Sequence, residues 1–287
     1  MALALIRLPT AVLALILLIL PSASGFTLTP PLPLCAPNMR TATSTRLRAV
    51  SLVTLLMGVG GWTSSGSSNA ELVKNLEKDR RFESDRVKDA MLKVDRKFFV
   101  PHGAYQDSPQ PIGHGATISA PHMHAYVLEA LEGHLTPGAN VLDVGCGSGY
   151  LLATFAHMVQ KDGRVWGVEH VPELAELSRR NVGQGLCEEL LKTVTVQQGD
   201  GRLGLPEAAP FDAIHVGAAA ESVPRALAEQ LKPGGRMIIP VGPEHKTQEL
   251  LQIDKDHDGN FYKRSLMGVR YIPLTEKDYQ LRARTEF

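Results

Sequence analysis

Asp143, Glu169 and Asp200 are placed so that they could grip one ligand. Asp143 lies in the apolar run Val141-Leu142-Asp143-Val144, which breaks into Gly145-Cys146-Gly147-Ser148-Gly149. Glycines at that spacing let the backbone approach a ligand and adopt φ values that a Cβ would forbid. The helix-compatible residues 150–156 that follow offer free N–H groups at their start. A dinucleotide site calls for G-x-G-x-x-G there, with pyrophosphate against the helix N-terminus. The spacing here is G-x-G-x-G, with a carboxylate two residues before the first glycine. That charge repels phosphate but suits a cationic ligand bearing an amine, a sulfonium and a ribose, which is the chemistry of S-adenosyl-L-methionine. An ordinary strand–turn–helix without a ligand fits the same motif.

The other two acids follow apolar runs of their own. Glu169 ends Val165-Trp166-Gly167-Val168-Glu169, at the distance beyond the loop expected of a ribose-binding carboxylate. Asp200 follows 194–198 and sits between Gly199 and Gly201. Ligands of open α/β sheets bind beyond the carboxyl ends of the strands. Asp143 would then lie near a methionyl end, Glu169 at the ribose hydroxyls and Asp200 at the adenine amino group. Singly, each is an ordinary turn-forming acid.

These residues need a frame, and the periodicity supplies one. Strands are expected at 139–144, 164–169, 193–198, 211–217 and 235–241, with helices at 149–160, 172–184 and 221–231 between them. This alternation predicts an α/β, doubly wound, mostly parallel Rossmann-like sheet covered on both faces. Residues 249–254 and 261–266, joined by Asp256-His257-Asp258-Gly259, read as a C-terminal antiparallel hairpin, with 268–271 as its candidate continuation. Upstream, Leu72, Val73 and Leu76 mark one helical face. Val87, Met91 and Leu92 mark another, opened by a Ser84 cap. A helix at 122–135 would bury Val127, Leu128, Leu131 and Leu135. The Pro/Gly/Ser-rich stretch 101–115 reads as a loop too long to be an idle connection.

The 287 residues carry no formal net charge. The first 70 contain Arg7, Arg40, Arg46 and Arg48 and no acid, so the remaining 26 basic residues face all 30 acidic ones. Without a basic, aromatic-interleaved patch, nucleic acid is not an expected partner. Cys35, Cys146 and Cys187 form neither a metal spacing nor an even disulfide framework, which favours a reducing compartment. Cys146 reads as a small loop residue, not a nucleophile. Residues 11–20 are unbroken apolar sequence followed by Ser22-Ala23-Ser24-Gly25, the pattern of a secretory signal or a marginal membrane anchor. A second apolar stretch, 49–62, is too short to span. Residues 27–45 are Pro/Thr/Ser-rich and read as disordered, and 63–68 read as a flexible linker. Two parts are expected: an N-terminal segment and linker at 1–68, and an S-adenosyl-L-methionine-binding domain at 69–287.

One motif goes beyond fold class. Ala116-Thr117-Ile118-Ser119-Ala120-Pro121-His122-Met123-His124, with Asp107-Ser108-Pro109-Gln110, 143–149, Gly199-Asp200-Gly201-Arg202, 211–219, 231–236 and Pro240-Val241-Gly242, resembles the protein-L-isoaspartate (D-aspartate) O-methyltransferase family. The resemblance covers residue 69 to the C-terminus. It implies a repair enzyme that transfers a methyl group from S-adenosyl-L-methionine to the free carboxylate of isoaspartyl and D-aspartyl residues in damaged proteins and peptides. It implies that Ser119 is the active-site residue and that Ala116, Thr117, Ile118, Ser119 and His124 border donor and substrate. With them it groups Asp143, Val144, Gly145, Cys146, Gly147, Glu169, Gly199, Asp200 and Thr275, the last returning from the C-terminal region to the cofactor pocket. A cytosolic monomer is the expectation, against a secreted or membrane-anchored form through residues 1–25.

Local sequence leaves Ser119 two roles. Its hydroxyl could orient the acceptor carboxylate, or it could cap the helix that Pro121 opens. His122 and His124 do not share a helical face and make no metal pair. His215, near a strand end, reads as a core residue or a support for the site. Asp254, Asp256 and Asp258 read as a solvated hairpin turn, since no EF-hand glutamate follows. Competing functions are a methyltransferase for another substrate and an S-adenosylmethionine-binding adaptor without turnover; the glycine spacing disfavours a nicotinamide oxidoreductase.

Overall fold

Serine hydroxyls open the first two helices. Ser68 accepts the N–H of Glu71 at the start of α1 (Asn69–Lys78), which buries Leu72, Val73 and Leu76. Ser84 accepts the N–H of Arg86 at the start of α2 (Asp85–Lys93), which buries Val87 and Met91. Leu92, expected on that face, is 41% exposed, because one step of about 100° beyond Met91 carries it off the buried stripe. In this computed structural model the described residues are 64–282. They fall in the second of the two units into which the chain divides, 56–287. The apolar segments 11–20 and 49–62, the stretch 27–45 and Cys35 lie outside the described residues.

Two expectations fail before the main sheet begins. Residues 64–68 are not a free linker. Ser64 is fully buried and donates to Asp79 Oδ2 at 2.7 Å, Ser65 Oγ accepts the Asp107 N–H at 3.0 Å, and the Gly66 N–H donates to Tyr105 O at 2.9 Å. The stretch 101–115 is not all loop. It contributes β1 (Gln110–Gly113), which pairs antiparallel with β2 (Ala116–Ile118) through a turn in which Gly113, His114 and Gly115 all have positive φ. The helix that follows, α3 (Pro121–Leu131), continues as a 3-10 turn to His134 and buries Val127, Leu128 and Leu131, with Leu135 buried beyond it.

The alternating half of the chain then unfolds as β3 (Asn140–Val144), α4 (Tyr150–Val159), β4 (Arg164–Glu169), α5 (Pro172–Gly185), a short α6 (Glu188–Leu191), β5 (Val194–Gln198) and β6 (Phe211–Val216). It closes with α7 (Arg225–Glu229), β7 (Leu231–Val241), β8 (Gln248–Lys255), β9 (Phe261–Val269) and α8 (Lys277–Arg282). The seven strands lie in the order β5-β4-β3-β6-β7-β8-β9. All neighbours are parallel as far as β7; β8 and β9 continue antiparallel. The expected helix at 221–231 shrinks to α7 because Pro224 stands at its N-cap and β7 already begins at Leu231.

Strand periodicity sorts the core into two layers. Val141, Val165, Ala213 and Ile238 face the layer that includes Leu72, Leu128, Leu152 and Val182 of the helices α1, α3, α4 and α5. Leu142, Val144, Ile214 and Val216 face the opposite layer with Leu227 of α7. The chain winds one way from β3 to β4 and β5, then returns past β3 to β6 and β7. The crevice beyond β3 and β6 is therefore the switch point at which ligands of such sheets bind.

Candidate active site

At the carboxyl end of β3 the backbone turns sharply through three glycines. Gly149 has φ +87°, and a Cβ there would stand 2.6 Å from Ser178 Oγ and 2.9 Å from Val182 Cγ2. Only glycine lets α4 begin against α5 at that point. The loop is tied to its neighbours: Gly145 N–H donates to Val168 O at 2.8 Å, Gly217 N–H to Val144 O at 2.8 Å, and Asn181 Nδ2 to Ser148 O at 3.0 Å. Glu169, at the end of β4 and 5% exposed, braces it from the side. Its Oε2 accepts the Gly147 N–H at 3.1 Å and its Oε1 accepts the Val171 N–H at 3.0 Å.

A crevice opens above this loop, between the glycine turn, β2 and the segment 272–275. Of the residues singled out by sequence, Ala116, Thr117, Gly145, Gly147, Glu169 and Thr275 line it. Thr275 arrives there because residues 272–274 lie beside Ala219, whose N–H donates to Ile272 O at 2.8 Å and whose carbonyl accepts from Leu274 N at 2.7 Å. Gly199 and Asp200 line an adjoining space that shares His170 and Thr275 with the first. Asp200 is held by Arg202, whose Nε and Nη2 donate to its two oxygens at 3.0 and 2.7 Å, and this bonding keeps its carboxyl below the usual range.

The remaining predicted residues stand back from the crevice wall. Val144 and Ile118 are core residues. Cys146 is buried; burial, helped by the charges of Asp143 and Glu169, pushes its thiol well above the ordinary value, so it is no nucleophile. Asp143 is 2% exposed and turns to His215, its direct neighbour across the β3–β6 register, whose Nδ1 donates to Asp143 Oδ1 at 2.6 Å. His215 therefore supports an acidic residue of the site. His124 is buried, stacked 4.8 Å from the Tyr150 ring, and its Nδ1 accepts from Arg96 Nη1 at 3.0 Å. Burial, with the Arg96 charge adding, pushes its pKa well below 6.5. It is a neutral imidazole whose free lone pair is already taken.

Ser119 is half-buried. It does not cap α3: the N-cap is Ala120, and no side chain bonds the helix start. Its hydroxyl lies near the phenol of Tyr271, whose pKa burial raises to about 12. The Ser119 carbonyl accepts from Arg96 Nη2 at 2.7 Å. Beside this, His122 donates through both its backbone N–H and its Nδ1 to Asp107 Oδ1, at 2.9 and 2.8 Å. Among the described residues no group of three or more His, Cys, Asp or Glu could hold a metal ion.

Sequence reasoning missed two contributors. His170 lines both spaces and donates through Nε2 to Gln280 Oε1 at 2.9 Å; its position directly after Glu169 was a usable signal. Gln280 on α8 lines the crevice and donates to His114 O at 3.1 Å. Nothing in the polar sequence around it marks a binding residue.

The comparisons with known proteins agree with this geometry. Residues 67–279 match the family model described as Protein-L-isoaspartate(D-aspartate) O-methyltransferase. The Protein-L-isoaspartate O-methyltransferase of Caenorhabditis elegans is 50% identical over 220 residues, covering 76% of this chain and 97% of the relative. That of Triticum aestivum is 52% identical over 217 residues, covering 74% and 94%. Among solved structures, a Plasmodium falciparum chain described as a protein-L-isoaspartate O-methyltransferase, in complex with S-adenosyl-L-homocysteine, superposes with a TM-score of 0.68 at 35% identity. It covers 74% of this chain and 100% of its own.

Proposed function

The chain belongs to the protein-L-isoaspartate(D-aspartate) O-methyltransferase family, and from that premise we propose how its crevice and Ser119 divide the work. The protein is a repair enzyme that methylates the free carboxylate of L-isoaspartyl, and D-aspartyl, residues in damaged proteins, with S-adenosyl-L-methionine as donor. One observation carries the assignment of roles: β2, the glycine loop, Glu169 and the returning segment 272–275 converge on a single crevice.

The residues present fit the donor. The glycine loop leaves room, since a Cβ on Gly145 would meet nothing closer than 3.9 Å. Glu169 offers acceptor lone pairs to ribose hydroxyls, Asp200 to the adenine amino group, and Asp143 keeps negative charge near the methionyl end while His215 fixes its orientation. Ala116, Thr117 and Thr275 close the sides. When bound, the donor supplies a methyl group on a sulfonium centre, a leaving group that needs no acid.

The acceptor carboxylate, with an ordinary pKa near ~4, is ionised at pH 7 and needs no base. Two of the residues singled out by sequence accordingly serve as none: Cys146 is held protonated and the His124 lone pair is engaged. What the residues contribute is alignment and exclusion of water, which in the best model systems is worth up to ~7–11 kcal/mol. Ser119 orients the carboxylate by donating a hydrogen bond. In a Ser119→Ala protein, turnover should fall by a few kcal/mol at most, ~1.5–3, with cofactor affinity and melting temperature nearly intact. Full turnover in that variant removes the role.

The reading extends to a cytosolic monomer, with a methyltransferase part that begins by Ser64 rather than at 69. The free thiols of Cys146 and Cys187 suit that compartment. Among the described residues no helix is long and apolar enough to cross a membrane. The alternative is export or anchoring through residues 1–25, which a native chain beginning near Phe26 in mass spectrometry would establish.

A further inference from the structure

Arg96 is an unusual residue to find fully buried. It sits in the 3-10 turn after α2, whose N-cap is Asp95, with no exposed surface. Among the described residues it makes no ion pair, and its Nε has no hydrogen-bond partner. Its two other nitrogens both point at one short segment: Nη2 donates to Ser119 O at 2.7 Å and Nη1 to His124 Nδ1 at 3.0 Å, with the Tyr150 ring 5.4 Å from the guanidinium carbon.

The nearest carboxylate acting on it, Asp107, does so from beyond ion-pair distance, and a buried charge without a carboxylate in contact is a poor device for stability: an apolar side chain of similar size often serves the fold as well or better. The segment it holds, moreover, lacks the usual local support. Ala120 cannot cap α3 through its side chain, so no helix-start hydrogen bond of that kind fixes the peptide just before it. The guanidinium spans the gap, tying the residue before the helix to the imidazole one turn inside it.

We propose that Arg96 is a positioning residue for the acceptor side of the site, fixing the Ser119 peptide and the His124 ring with the two arms of one guanidinium. The proposal rests on the role given to Ser119 above. Geometry rather than charge is what it requires. Lysine would keep the positive charge but cannot hold two acceptors in the fixed fork of a guanidinium.

The test uses Arg96→Lys, Arg96→Met and Ser119→Ala, with each Arg96 change also made in the Ser119→Ala protein. Arg96→Met offers similar length without charge, so at least one Arg96 variant is available that the fold can accept. Calorimetry measures the affinity of an isoaspartyl peptide for enzyme saturated with S-adenosyl-L-homocysteine, and the affinity for S-adenosyl-L-homocysteine alone. Both Arg96 variants should bind the peptide about tenfold or more weakly, with S-adenosyl-L-homocysteine affinity changed less than about twofold. In the Ser119→Ala protein the same changes should cost clearly less than they do in the parent, since only the hold on His124 is then left to lose. Normal peptide binding by a folded Arg96→Lys protein, or losses that simply multiply with those of Ser119→Ala, would overturn the proposal. If Ser119→Ala alone binds peptide normally, the reading of Ser119 fails and takes this one with it. If only the Arg96 variants bind normally, the reading of Ser119 stands without it.

Discussion

Glu169 Oε2 accepts the N–H of Gly147 at 3.1 Å, so the acid at the end of β4 braces the glycine loop that follows its neighbour β3. A single side chain thus shapes the crevice and offers it a carboxylate. Glu169→Ala should weaken binding of S-adenosyl-L-methionine by on the order of 1.5–3 kcal/mol. Unchanged affinity in a folded variant, measured by calorimetry, would remove Glu169 from the ribose subsite.

The Asp143–His215 pair makes a separate forecast. The two face one another across the β3–β6 register, 6% and 2% exposed for the His215 and Asp143 side chains. His215→Ala takes away the donor and leaves a buried carboxylate oxygen unbonded, which should cost about 1–3 kcal/mol of stability in urea unfolding. A stability within experimental error of the parent protein would show that solvent or another group satisfies Asp143.

The fold and much of the crevice were legible from residue types. Alternating apolar runs fixed the order of β3 to β7, because buried parallel strands and amphipathic helices differ in period. What escaped depends on partners distant in sequence. Ser64 and Ser65 read as linker until Asp79 and Asp107, 15 and 42 positions away, are seen to hold them. The β1–β2 hairpin hid among Pro109, Pro111, Gly113 and Gly115, residues that depress strand propensity yet are tolerated in an isolated two-stranded ribbon. Arg96, between Asp95 and Lys97, has the local signature of a solvated charge; only the packing of α3 and α4 around it makes it a buried one.

Stability should also fall on mild acidification. Burial depresses the pKa of His124 well below its ordinary 6.5, and those of His134 and His157 are also lowered by burial. Above pH 6.5 neither the folded nor the unfolded chain protonates these rings. Below it the unfolded chain takes up protons that the folded one refuses, so stability declines as pH drops from 6.5 toward the folded pKa. For His124 alone the slope can reach ~1.4 kcal/mol per pH unit. The urea midpoint at pH 5.5 should therefore lie below that at pH 7.5, with a smaller difference in His124→Gln. An equal difference in the variant would mean that His124 takes no part.

The account stands or falls on what the enzyme methylates. Incubated with S-adenosyl-L-methionine labelled in the methyl group, the full chain should transfer label to a synthetic isoaspartyl peptide in base-labile form. It should leave the peptide with a normal aspartyl residue at the same position unlabelled. Equal labelling of the two peptides, or of neither while S-adenosyl-L-methionine still binds, would contradict it.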